Sequence, residues 1–74
     1  MDPAIMAKQT DRRGIVARRI KRLRIKAGLS QEQLGIDTGY TRQGISLIEK
    51  TGAMSEQGRR VLAMRLGVDP SVLR

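Results

Sequence analysis

The chain has 74 residues, of which 15 are Lys or Arg and 7 are Asp or Glu, so its formal net charge is +8. This length allows one small domain and leaves no room for separate cofactor and substrate domains. Cys and His are both absent, which excludes disulfides, zinc sites of the usual kind and catalysis by Cys or His. We therefore expect no metal and no cofactor.

No apolar run approaches the roughly 20 residues of a membrane span, and no signal-peptide core is present. Because nothing in the sequence directs export, we expect a cytoplasmic protein. Positive charge is concentrated early: residues 1–30 hold nine basic and two acidic residues, and residues 31–74 hold six and five. Such a basic lobe favours a polyanionic partner, nucleic acid first. An anionic membrane surface, an acidic protein and a merely solvated basic face are the alternatives.

Hydrophobic spacing predicts an all-α domain, since no stretch alternates apolar and polar residues as a strand would. Tyr40 is the only aromatic residue, so we expect an aliphatic core. Residues 1–10 show no sustained period and are predicted to be a flexible basic arm, with residues 11–74 as the domain. A first helix is predicted to begin at a cap, Thr10 or Asp11, and to end before Gly28. Its predicted core stripe is Val16, Ile20, Leu23 and Ala27.

Two shorter helices are predicted next. Ser30, with Gln33 three residues later, has the pattern of a capping box and begins a helix of about eight residues. Gly39 ends that helix, and Thr41 caps a third helix that runs to about Lys50. A short helix, a tight turn and a second helix form the helix-turn-helix pattern.

A fourth helix and a short fifth one complete the predicted five-helix bundle. Ser55 caps the fourth helix, which ends before Gly67. Asp69 then caps a one-turn helix over residues 70–73. The core residues predicted from these later helices are Leu34, Ile45, Ile48, Leu62, Ala63 and Leu66.

The third helix carries the predicted functional residues. One of its faces is apolar, and the opposite face carries Arg42, Gln43, Ser46, Leu47 and Lys50. A helix that hides one face and presents polar groups on the other suits the major groove of DNA. Gln43 can pair bidentately with adenine, Arg42 with guanine, and Leu47 can contact a thymine methyl group. An outward Leu47 is otherwise one of the scattered surface apolar residues common in proteins.

The sequence resembles the phage lambda repressor and Cro family of DNA-binding domains (XRE-like) over about residues 16–73. The matching blocks are IKRLR at 20–24, GLSQEQL at 28–34, GYTRQ at 39–43, ISLIEK at 45–50 and LGVD at 66–69. The resemblance implies a five-helix bundle whose second and third helices form the helix-turn-helix. The chain departs from the family pattern at Gly35, where that pattern favours Ala, and at Thr38, where it favours an aliphatic residue. Gly44 lies inside the third helix, where a glycine costs about 0.5–1 kcal/mol relative to Ala.

The resemblance also implies roles for individual residues. The Gln matching Gln31 contacts a phosphate and braces the residue matching Gln43, and the Arg matching Arg24 pairs with the Glu matching Glu49. The loop after the third helix is poor in basic residues here, so we expect other groups to hold the phosphates. The predicted phosphate contacts are Ser30, Gln31, Thr41 and Lys50, with Lys8, Arg12 and Arg13 supplying charge from the N-terminal part.

We therefore expect a sequence-specific double-stranded DNA-binding protein, a transcriptional regulator and specifically a repressor, and not an enzyme. It would be encoded by a prokaryote or a phage, associate with the nucleoid and bind a palindromic operator as a homodimer. An antitoxin-type interaction module that also binds its own operator is the main alternative. RNA binding and membrane-surface binding are weaker ones. Ile25 and Ile36 are predicted to be exposed, either as scattered surface residues or as a protein contact.

Overall fold

The computed structural model describes the backbone of residues 3–74 and the side chains of residues 12–74. This part of the chain is all-helical. It contains α1 (Pro3–Lys26), α2 (Gln31–Thr38), α3 (Arg42–Thr51), α4 (Glu56–Leu66) and a C-terminal 3-10 helix (Pro70–Leu73). None of the described helices is both long and apolar enough to cross a membrane.

The prediction of five α-helices is wrong in its last member, because the described residues form four α-helices and one 3-10 helix. The amide of Val72 donates to the carbonyl of Asp69, and the amide of Arg74 to that of Ser71. Both bonds span three residues, which is the 3-10 pattern. A segment this short, beginning with a proline, cannot build up the bonds between residues i and i+4 that define an α-helix.

The predicted beginning of α1 is also wrong. The helix begins at Pro3, so Thr10 and Asp11 lie inside it and neither is its cap. Proline suits the first turn of a helix, and residues 4–10 contain no glycine or second proline that would interrupt it. Lys8 and the other side chains of residues 1–11 lie outside the described part, so the role predicted for the basic arm stays a prediction.

The core is a single aliphatic cluster drawn from all four helices and the 3-10 helix. Ala27 is exposed, which contradicts its predicted place in the core stripe, and Ala17 is buried instead. The reason is that α1 ends at Lys26 and Ala27 already lies in the turn. Leu73 is fully buried because the 3-10 helix packs on α1 and α4. The cluster comprises Val16, Ile20, Leu34, Ile45, Ile48, Leu62, Ala63 and Leu73, with Leu23 and Leu66 packed against it.

Serine and threonine caps begin the three shorter α-helices, as predicted. The hydroxyls of Ser30, Thr41 and Ser55 each accept a bond from the amide three residues later, at 3.0 Å. The reciprocal half of the predicted capping box is missing, because the Gln33 side chain donates to Asp37 instead. These caps fix where α2, α3 and α4 begin.

The turn between α2 and α3 is closely packed. Gly39 ends α2 with φ +82, a left-handed conformation that a β-carbon would disfavour. A β-carbon on Gly35 would lie 2.7 Å from the carbonyl oxygen of Tyr40. The phenol of Tyr40 in turn occupies the space where Gly58 has no side chain. The departure from alanine at Gly35 therefore has a steric cause, which is the close approach of the turn to α2.

Candidate nucleic-acid interface

The outward face of α3 presents the residues predicted to read bases. Ile45 and Ile48 are buried beneath it, at 0% and 5% exposure. On the opposite face Arg42, Gln43, Leu47 and Lys50 are exposed and Ser46 is half-buried. Leu47 is 60% exposed. The helix thus combines a buried anchor with a mixed polar and apolar surface.

The polar heads on this surface are available to a ligand. Within residues 12–74, the side chains of Arg42, Gln43 and Lys50 make no hydrogen bond or ion pair. Arg42 is the first residue of α3 and Lys50 lies in its last turn. The face therefore offers a guanidinium and an ammonium group flanking one amide and one apolar side chain.

A network of charged hydrogen bonds lies behind the helix-turn-helix. Nε of Arg24 is 2.6 Å from Oε2 of Glu49, and a second guanidinium nitrogen of Arg24 donates to Oε1 at 3.2 Å. The Arg24 guanidinium also donates to the Leu29 carbonyl at 2.8 Å. The side chains of Arg24 and Glu49 are only 12% and 4% exposed. This fork-shaped pairing joins α1 to α3 and fixes their relative orientation.

Gln31 completes the network from α2. Its side-chain nitrogen donates to Oε1 of Glu49 at 3.2 Å. Within the described side chains Gln31 makes no bond to Gln43, so the bracing implied by the resemblance is not seen in this structure. Sequence reasoning missed the bond to Glu49 because the two residues are 18 positions apart. One carboxylate consequently ties together three helices.

The beginnings of α2 and α3 supply neutral donors for an anion. The hydroxyls of Ser30 and Thr41 each satisfy one amide of the first turn. The other amides of a first turn have no partner within the helix and point out of its N-terminus, where an anion is favoured. Both hydroxyls also keep their hydrogens as donors.

The exposed side of α1 carries most of the remaining positive charge. Residues 12–26 contain eight basic residues and no acidic residue. Arg24 forms an ion pair with Glu49, and Arg19 donates to the carbonyl of Val72 at 3.1 Å. Arg12 and Arg13 are exposed. The carbonyl of Arg13 lies against Gly52, at the position that a β-carbon on Gly52 would occupy. This close approach sets α1 beside the loop that follows α3.

Other ion pairs lie away from α3. Nε of Arg65 on α4 is 2.6 Å from Oδ2 of Asp37 on α2. The hydrogen bond from Arg65, assisted by one from the Gln33 amide, holds the pKa of Asp37 below its ordinary value. Ile25 and Ile36 are exposed, at 59% and 68%. Neither isoleucine contributes to the face of α3.

Comparison with known proteins adds one match. A family described as a helix-turn-helix domain matches residues 15–74. No curated protein and no solved structure matches the chain. The matched range begins within α1 and includes α2, α3, α4 and the 3-10 helix.

Proposed function

The chain belongs to the helix-turn-helix domain family, of the lambda repressor-like type, and on this basis we propose that it is a sequence-specific, double-stranded DNA-binding transcriptional regulator that acts as a repressor. In this proposal α3 enters the major groove and α2 lies across the backbone. Base recognition is assigned to Arg42, Gln43, Ser46 and Leu47.

The outward face of α3 is the observation that carries the proposal. It places an exposed Leu47 beside an amide and a guanidinium that have no partner among the side chains of residues 12–74, on one side of a helix whose other side is buried. These groups match base edges in the major groove: Gln43 an adenine, Arg42 a guanine and Leu47 a thymine methyl. The partly buried network of Arg24, Gln31 and Glu49 supports that face by holding α3 on the domain.

Phosphate contacts complete the proposed interface. We assign them to the helix beginnings at Ser30, Gln31 and Thr41 and to Lys50 on α3. Further phosphate contacts are proposed for Lys8, Arg12 and Arg13. These groups set affinity and salt dependence but carry no sequence information.

Two copies are needed for a useful site, because one recognition helix contacts only a few base pairs. We propose that a homodimer binds a palindromic operator, with half-sites about 10–10.5 base pairs apart or a multiple of that spacing. Selection of binding sites from random duplex DNA, followed by footprinting, tests specificity, symmetry and spacing together. Enrichment of one symmetric motif is expected. Recovery of unrelated sequences with equal affinity would contradict sequence-specific regulation.

The phosphate assignment has a separate test. Replacing Lys8, Arg12 and Arg13 with Ala should flatten the dependence of log affinity on log salt by up to about 0.9 for each phosphate that is no longer neutralised. The matched control replaces three other basic residues of α1, Lys21, Arg22 and Lys26, with Ala. An equal effect of both triple variants would mean that only net charge matters. An unchanged slope after deletion of residues 1–13 would refute the contribution of the N-terminal part.

A further inference from the structure

An open cavity of about 250 Å³ lies between α1, the loop after α3 and the C-terminal end of the chain. Four of its lining residues are arginines: Arg12, Arg13, Arg59 and Arg74. They come from α1, α4 and the residue after the 3-10 helix, so the fold brings together arginines from separate elements. None of them is on α3.

The four guanidinium groups keep unused donors. Arg59 donates through Nε to the Leu73 carbonyl at 3.1 Å and through a terminal nitrogen to Glu56. Arg74 donates to the same carboxylate at 2.7 Å. Each guanidinium has five N–H groups, so donors remain on both. Arg12 and Arg13 have no partner among the described side chains.

The floor of the cavity is apolar. It is lined by Val16 and Leu73, which are 4% and 0% exposed, and by Met54. Gly52 lines it as well, pressed against the Arg13 carbonyl so closely that no other residue would fit. The cavity thus combines buried apolar residues with exposed cationic side chains.

We propose that this cavity binds a phosphate group of a small phosphorylated ligand. Four guanidinium groups line the cavity, and the carboxylate of Glu56 is bonded to two of them. The arginine side chains therefore leave an excess of positive charge. That excess favours a multiply charged anion. A phosphate ester carries about 1.5 to 2 negative charges and accepts the paired N–H bonds of arginine. The volume lies near the lower end of ligand sites, which are roughly 300–1,000 Å³, so the ligand is small.

The competing occupant is a phosphate of the DNA backbone, to which Arg12 and Arg13 are assigned above. Each backbone phosphate carries one negative charge and so fits the excess positive charge less well than a phosphate monoester does. The cavity arginines are distinct from the base-contacting face of α3, so phosphate binding here does not depend on base recognition.

Pyrophosphate titration of the complete, ¹⁵N-labelled chain at constant ionic strength tests the proposal by NMR. Saturable shifts are expected, largest at the amides of Gly52, Ala53 and Arg74. The variant Arg12→Gln/Arg13→Gln should bind pyrophosphate about tenfold more weakly, because charge-assisted bonds are removed. The control Lys21→Gln/Arg22→Gln removes the same charge from α1 outside the cavity and should change affinity less than about twofold.

Titration of pyrophosphate in the presence of duplex DNA distinguishes a small-ligand site from a contact with the DNA backbone. If pyrophosphate and a duplex bind at the same time, the site takes a free ligand. If the duplex displaces pyrophosphate and binds less tightly to the Arg12→Gln/Arg13→Gln variant, the cavity holds a backbone phosphate, and the proposal of a small free ligand is overturned. Shifts that spread along α1 without saturation, or equal weakening in both double variants, would overturn the proposal. Because these side chains are exposed, the variants should melt as the parent chain does, which checks folding independently.

Discussion

Replacing Glu49 with Gln should strongly destabilise the domain. The parent carboxylate accepts two bonds from Arg24, at 2.6 and 3.2 Å, and one from Gln31 at 3.2 Å. Glutamine keeps one acceptor oxygen and places an NH₂ group against these donors. It also leaves the Arg24 guanidinium, only 12% exposed, without a counter-charge.

The expected decrease in the free energy of unfolding is about 2–4 kcal/mol. The lower end corresponds to removing one hydrogen bond to a charged group, about 1.5–3 kcal/mol. The upper end approaches the roughly 3–5 kcal/mol seen when one partner of a buried pair is removed. At about 0.05–0.15 kcal/mol per residue, a domain of this length has only about 4–11 kcal/mol in total. The variant should therefore lose a large share of its stability.

Urea unfolding followed by far-ultraviolet circular dichroism measures this decrease as a lower midpoint at unchanged slope. Asp37→Asn is the matched control, because it breaks the more exposed pair of Asp37 with Arg65, in which the side chains are 23% and 39% exposed. Asp37→Asn should lower the free energy of unfolding much less than Glu49→Gln does. The double variant Arg24→Met/Glu49→Leu removes both charges and should recover most of the stability. If Glu49→Gln lowers the free energy of unfolding no more than Asp37→Asn does, the partly buried network does not hold the helices together.

Three further predictions concern base readout, steric fit and pH. Gln43→Ala should weaken binding to the selected operator by about 1–3 kcal/mol and relax preference at one base pair, measured by competition with single-base variants. Gly35→Ala should lower the free energy of unfolding by about 1–3 kcal/mol, since the new β-carbon would lie 2.7 Å from the Tyr40 carbonyl oxygen. Gly44→Ala, where the nearest atom is a side-chain oxygen at 3.3 Å, should be neutral or stabilise by about 0.5 kcal/mol in the same unfolding assay. The bond from Arg65 lowers the pKa of Asp37. The pair therefore stabilises the domain above the ordinary carboxyl pKa of about 4, and this stabilisation is lost as pH falls through the lowered pKa. The melting temperature should therefore fall more for the parent than for Asp37→Asn between about pH 5 and about pH 3, and equal falls would contradict this assignment.

Local sequence pattern was enough to predict the shorter helices and the faces they present. α2 and α4 have the predicted bounds, and the caps at Ser30, Thr41 and Ser55 are confirmed. These features depend on residues three or four positions apart, so the nearby residues contain all the information they need. The burial of Ile45 and Ile48, and hence the outward direction of Leu47, follows from the same periodicity.

Which distant residues meet was settled by the packing of the helices. The bond from Gln31 to Glu49, the fit of Tyr40 against Gly58 and the burial of Leu73 all join residues far apart in the chain. The convergence of four arginines on one cavity is of the same kind. Such contacts depend on how helices pack and where each one ends, which no local spacing specifies. The charge of +8 was evident from composition, but its division between the face of α3, the partly buried network and the arginine-lined cavity was set by the packing of α1 against the other elements.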